Sequence, residues 1–114
     1  MKLIAATESK SWVPGGHAKA VSRQIVSAAD GAQRVEVHTS TIAPGGGSKL
    51  ERHPESEQVF MLLSGELTFV DADQHELLAG PGAAVFVPAN NWHATDNRGT
   101  VEAVCLVITA PPIH

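Results

Sequence analysis

Apolar positions in this chain come in short runs rather than in a helical stripe. Runs rich in Val, Ile, Leu and Phe cover residues 34–42, 49–53, 58–63, 66–70, 75–78, 84–87 and 101–109. Each is bounded by Gly, Pro, Asn or Asp, as strands between turns are. The stretches 44–47 (PGGG), 64–66 (SGE), 71–74 (DADQ) and 79–82 (AGPG) read as turns. A period of 3.6 is missing wherever the chain is most apolar, so no helix is expected there. Residues 16–29 fit neither period cleanly, and the stretch VSRQIVSA is assigned to a further strand. Many short strands at close spacing predict an all-β domain, an antiparallel barrel or sandwich.

Composition narrows the class. A length of 114 residues suffices for one domain around one core. With 43% hydrophobic and 18% charged residues the chain is neither disordered nor membrane-spanning. No apolar run approaches the ~20 residues that cross a bilayer, and the apolar patch at the start is too short for a secretory signal. A cytoplasmic location is the expectation. Twelve acidic against eight basic residues give a charge of −4, with no Lys or Arg cluster. Nucleic acid and acidic lipid are therefore not expected as partners. The single cysteine, Cys105, lies in VEAVCLVI and reads as a buried, inert thiol. With no tyrosine there is no phenolic acid or base. Ser56 has no His-Asp arrangement to make it a nucleophile, and the glycines at 45–47 lack the lysine and helix of a phosphate loop.

The candidate chemistry sits in two stretches. The first runs Gly45-x5-Glu51-x-His53-x4-Gln58-x6-Gly65, and the second Gly82-x5-Pro88-x-Asn90-x2-His93-x3-Asn97. Side chains alternate across a strand, so Glu51 and His53 share a face and Leu50 and Arg52 point away. Gln58, Phe60 and Leu62 share one face of the next strand, aimed into the barrel. His93 follows the Pro88 turn and enters from a third strand. Two imidazoles and a carboxylate with open positions form a donor set that suits Fe(II), Mn(II), Ni(II), Co(II) or Zn(II).

These stretches resemble the two motifs of the cupin superfamily, most closely the small single-domain, RmlC-like members. The usual first motif, G-x5-H-x-H-x3–4-E-x6-G, is kept in every spacing, but Glu51 replaces its first histidine and Gln58 its glutamate. The second motif departs only where Asn90 replaces a glycine, and Asn tolerates the left-handed backbone a glycine supplies. The resemblance implies a double-stranded β-helix, or jelly-roll, barrel holding one divalent metal, with Glu51, His53, Gln58 and His93 as ligands. It also implies a homodimer. Residues 1–32 would form an N-terminal, dimer-forming arm with Trp12 at the interface, residues 33–110 the barrel and residues 111–114 a tail.

Plainer readings stand beside these. Glu51 could pair with Lys49 or Arg52, and Gln58 could bond the barrel wall. His17, His38, His75 and His114 fit no ligand spacing. His38 alternates with Glu36 and Ser40, and is read as a solvated or satisfied histidine. Phe60, Leu62 and Trp92 are the candidate substrate pocket, Trp92 alternatively packing on a partner subunit. Glu55 is the free carboxylate of the first motif. The function expected is a small metalloenzyme acting on a small organic substrate. It would be a dioxygenase using Fe(II), or a lyase or isomerase using the metal as a Lewis acid. The alternative is a non-catalytic small-molecule-binding barrel, with or without metal.

Overall fold

The computed structural model describes residues 1–6 and 10–114. Among them are nine strands: β1 Ser11–Trp12, β2 His17–Val26, β3 Glu36–Ser48, β4 Glu57–Ser64, β5 Leu67–Asp71, β6 Glu76–Ala79, β7 Ala84–Val87, β8 His93–Asp96 and β9 Ala103–Ala110. One sheet runs β6-β5-β8-β3-β9-β4-β7, with β2 on β3 and β1 on β2. Its ladders are antiparallel. The domain is an all-β, nearly closed barrel, and the doubtful stretch 16–29 is strand for most of its length.

The strand β3 joins the two walls. Its first part, Glu36 to Ile42, pairs with β9, whereas Gly47 pairs with Asp96 of β8. Between these ladders lies the PGGG stretch, expected as a turn. It is instead the bend of a continuous strand. Pro44 has no N–H to give a ladder and sits exposed at the break. Gly47 brings its backbone so near β8 that a Cβ would run into the Thr95 carbonyl.

Residues 49–53, expected as a strand, make only an isolated bridge, Glu51 opposite His93. Continuing the ladder from Gly47–Asp96 would put Leu50 there, so the chain carries one extra residue, a bulge. Pro54 then removes the N–H that would extend the pairing. The other turns fall where expected. Gly65 takes a positive φ of 71° between β4 and β5. Asp71 Oδ1 accepts from the Asp73 and His75 backbone N–H groups at 2.8 and 3.0 Å between β5 and β6.

Register grades the interior from polar to apolar. Across β3, β9 and β4, Glu36 lies beside Thr109 and Gln58, and His38 beside Val107 and Phe60. Ser40 lies beside Cys105 and Leu62, and Ile42 beside Ala103. The apolar floor includes Leu62 and Leu67, both fully buried, each worth ~1.5–3 kcal/mol relative to exposure. Phe60 and Phe69 meet edge to face, centroids 5.3 Å apart, where floor gives way to mouth. The Cys105 thiol is buried, and burial pushes its pKa up to about 11.

Candidate metal centre and its cavity

Three imidazoles converge on one carboxylate oxygen. Glu51 Oε1 lies 3.9 Å from His53 Nε2, 3.9 Å from His93 Nε2 and 4.0 Å from His17 Nε2. Glu51, His53 and His93 each offer a donor atom within 4.8 Å of the others. Bonds of about 2.0–2.2 Å to a four-coordinate ion put its ligands roughly 3.4 Å apart, so the Glu51–histidine separations are within about half an ångström of that spacing.

Backbone contacts fix this group. Glu51 and His93 exchange two backbone hydrogen bonds of 2.9 Å. The Asn90 N–H donates to the His53 carbonyl at 2.8 Å, and Asn90 holds φ at 64°, the conformation the family's glycine supplies there. The second motif thus grips the backbone of the first at Glu51 and at His53. Asn97, buried, donates to the Ile42 and Val101 carbonyls and has a structural role.

Tautomers follow from the partners. His93 Nδ1 lies 3.0 Å from the Asn91 carbonyl and His17 Nδ1 3.0 Å from the Gly15 carbonyl. A carbonyl only accepts, so each Nδ1 carries a hydrogen and each Nε2 is the ring atom turned to the site. His93 Nε2 is buried with no partner. Burial lowers the His53 pKa, with Glu51 opposing, and so favours the neutral imidazole that ligates. Gln58 donates from Nε2 to Thr109 Oγ1 at 3.1 Å, while its Oε1 is buried and unpartnered. The amide therefore bonds the wall and still offers its oxygen. Among the described residues, the ionisable side chains beside Glu51 are histidines; neither Lys49 nor Arg52 pairs with it.

A cavity of about 160 Å³ opens at this point, lined by Glu51, His53, Gln58 and Phe60, and also by Ser22, His38, Ser40, Trp12, His17 and His114. Two of the three residues expected to wall it lie elsewhere. Leu62 sits deeper, in the core. Trp92 is exposed, with the Arg52 guanidinium 4.8 Å above its ring, and lines a second depression with Pro88, Phe86 and His93. Trp92 lies just before β8, outside the strand that buries His93. Glu55 is exposed on the loop. A wider depression of about 640 Å³ beside Lys49, Gln74 and Arg98 includes none of Glu51, His53 and His93.

Sequence spacing missed the other polar groups here. Strand β2 brings in His17. On β3, buried Glu36 accepts from the Ile113 and His114 backbone N–H groups at 3.1 Å each, and lies 2.9 Å from His114 Nδ1. The His114 ring meets Trp12 and His38, with centroids 5.3 and 5.7 Å apart. Alternation with Glu36 and Ser40 was the available signal for His38. His17 and His114 had none, since their approach depends on strand pairing. Trp12 packs on the histidines of its own barrel.

The chain matches the cupin domain family over residues 38–109 and belongs to it. Its fold is similar to the polyketide cyclase RemF of Streptomyces resistomycificus, at 24% identity and TM-score 0.86 over 98% of this chain and 80% of that one. It is similar to a predicted oxalate decarboxylase of Thermotoga maritima, at 16% identity and TM-score 0.82 over 97% and 100% of the two chains. A cupin-superfamily sugar phosphate isomerase of Silicibacter pomeroyi gives 27% identity and TM-score 0.71 over 82% of this chain and 60% of that one. No curated protein sequence matches the chain.

Proposed function

We propose that this cupin is a metalloenzyme acting on a small organic substrate, with one divalent metal held by Glu51, His53 and His93, and by Gln58 as a fourth donor. The observation that carries the reading is the meeting of the Glu51 carboxylate with the Nε2 atoms of His53 and His93. Buried, partnerless His93 Nε2 and Gln58 Oε1 support it, since an orphaned buried polar atom costs about 1–3 kcal/mol unless something satisfies it. When bound, such an ion supplies Lewis acidity or, as Fe(II), redox chemistry. The chain's backbone contacts orient the donors, burial favours the neutral form of the His53 ring, and Phe60 presents an apolar wall to the substrate. The three neighbours bear the names of a cyclase, a predicted decarboxylase and an isomerase, which supports an enzyme and leaves the reaction open.

Elemental analysis of untagged protein tests this. About one equivalent of Fe, Mn, Ni, Co or Zn is expected, and none in His53→Ala/His93→Ala. Wild type that stays metal-free after anaerobic reloading leaves the barrel as a binding cavity only. A homodimer is part of the same proposal. Edge strands β6 and β7 expose Leu77, Leu78 and Phe86, as an unpaired edge awaiting a second copy would.

A further inference from the structure

The cavity has a second polar wall that the metal donors do not use. His38 is 6% exposed, and its Nδ1 is one of three buried side-chain atoms without a partner among the described residues. The other two, Gln58 Oε1 and His93 Nε2, belong to the candidate metal donors. Next along the same face of β3 is Ser40, whose Oγ lies 3.0 Å from that of buried Ser22 on β2. In such a pair one hydroxyl donates to the other, and the second keeps a hydrogen of its own to give. All three residues line the cavity that also holds Glu51 and His53.

The charges around this wall decide what it can take. Among the described residues, no Lys or Arg lines the cavity. Burial, followed by the His114 charge, lowers the His38 pKa to about 4, so its ring is neutral near pH 7. The Glu36 carboxylate, two residues away on the same face of β3, is fully buried and engaged by the Ile113 and His114 backbone N–H groups and the His114 ring. An anion brought here would meet no Lys or Arg, and the His114 ring at the cavity wall is already paired with Glu36 at 2.9 Å, whereas a neutral hydroxyl or carbonyl would meet a donor and an acceptor. Size agrees. A cavity near 160 Å³ is close to the ~150 Å³ that houses a benzene-sized molecule.

We propose that Ser22, His38 and Ser40 form a substrate-binding pole that takes an uncharged hydroxyl or carbonyl group and rejects a carboxylate or phosphate. The inference rests on the metal reading, since the substrate's other end would lie at Glu51, His53 and His93. It makes His38 a specificity-determining residue.

Three flexible probes of like length test it on Zn(II)-loaded protein: butanoate, 4-hydroxybutanoate and succinate. Each brings one carboxylate for the metal, and they differ only at the far end. Binding is followed by NMR of the histidine ring nitrogens, with zinc stoichiometry measured separately. The expected result is 4-hydroxybutanoate binding about three- to tenfold tighter than the other two, with a shift of the His38 ring nitrogens. His38→Leu should abolish the preference at unchanged zinc content. His38→Asn, which keeps a donor and an acceptor, should retain part of it and keeps the test readable if the leucine variant does not fold. Equal affinities, tighter succinate, a preference that survives His38→Leu, or no binding by any probe overturns the pole. Zinc bound without a preference sinks this inference alone. A far-end preference in protein that takes up no zinc sinks the metal reading and leaves the pole standing.

Discussion

Burial of His38 makes the fold acid-sensitive by an amount that can be worked out. The folded pKa is about 4 against an ordinary 6.5, because burial penalises the charged ring and the His114 and His17 charges add to that penalty, while Glu36 opposes it. A lowered histidine pKa means that the unfolded chain binds the proton first. Stability is therefore complete above the ordinary value and declines as pH falls towards the folded one. The full difference is about 3 kcal/mol at ~1.4 kcal/mol per pH unit. Between about pH 7 and pH 5 the unfolded chain takes up most of a proton that the folded chain refuses, which costs ~2 kcal/mol. His38→Gln removes the titration and keeps a polar side chain. Urea unfolding of both proteins, with a chelator present, should show the wild type losing ~2 kcal/mol more than the variant over that range, a midpoint difference of roughly 1 M. His53 also titrates low, but it is common to both proteins and cancels. Parallel pH profiles would refute the argument and mean that His38 is protonated in the folded barrel.

Three further outcomes follow from the same geometry. Gln58→Glu places a second carboxylate where an unpartnered amide oxygen now stands, and should tighten divalent-metal binding by about tenfold or more in chelator competition. Leu62→Ala empties a fully buried position on the barrel floor and should cost ~2–5 kcal/mol in denaturant unfolding, with metal stoichiometry retained in the folded fraction. Trp92→Ala removes an exposed ring and its Arg52 contact. It should change stability by at most ~1 kcal/mol and leave metal content untouched, and loss of the metal would show that the ring supports the centre after all.

The residues that were legible and those that were not differ in a physical way. Gly65 and Asp71 announced their turns because a positive φ and an Asx-type bond are local requirements. The inward face of β4 followed from alternation, and Gln58, Phe60 and Leu62 are all buried. Alternation gave the face and not the depth, so Leu62 lies in the core below the cavity, and Trp92, read for its neighbour His93, lies before β8 with its ring exposed. The PGGG stretch was read as a turn because proline and glycine signal both a turn and a strand bend, and only the partners on either side separate the two. The bulge before Glu51 left no mark, since an extra residue is defined by what stands across the ladder.

The sequence alone settled the strand-rich class, the turns other than the PGGG stretch, and the two stretches whose spacing carries Glu51, His53, Gln58 and His93, because each depends on residues near one another along the chain. Tertiary structure decided the rest. Pairing β2 with β3 brought His17 and Ser22 to the cavity. Docking Ile113 and His114 on Glu36 closed one end of it. The register of β3, β9 and β4 stacked the polar rows above the apolar ones. A long-range register is set by the summed burial of whole faces, and no local signal along one strand can report what its partner places opposite.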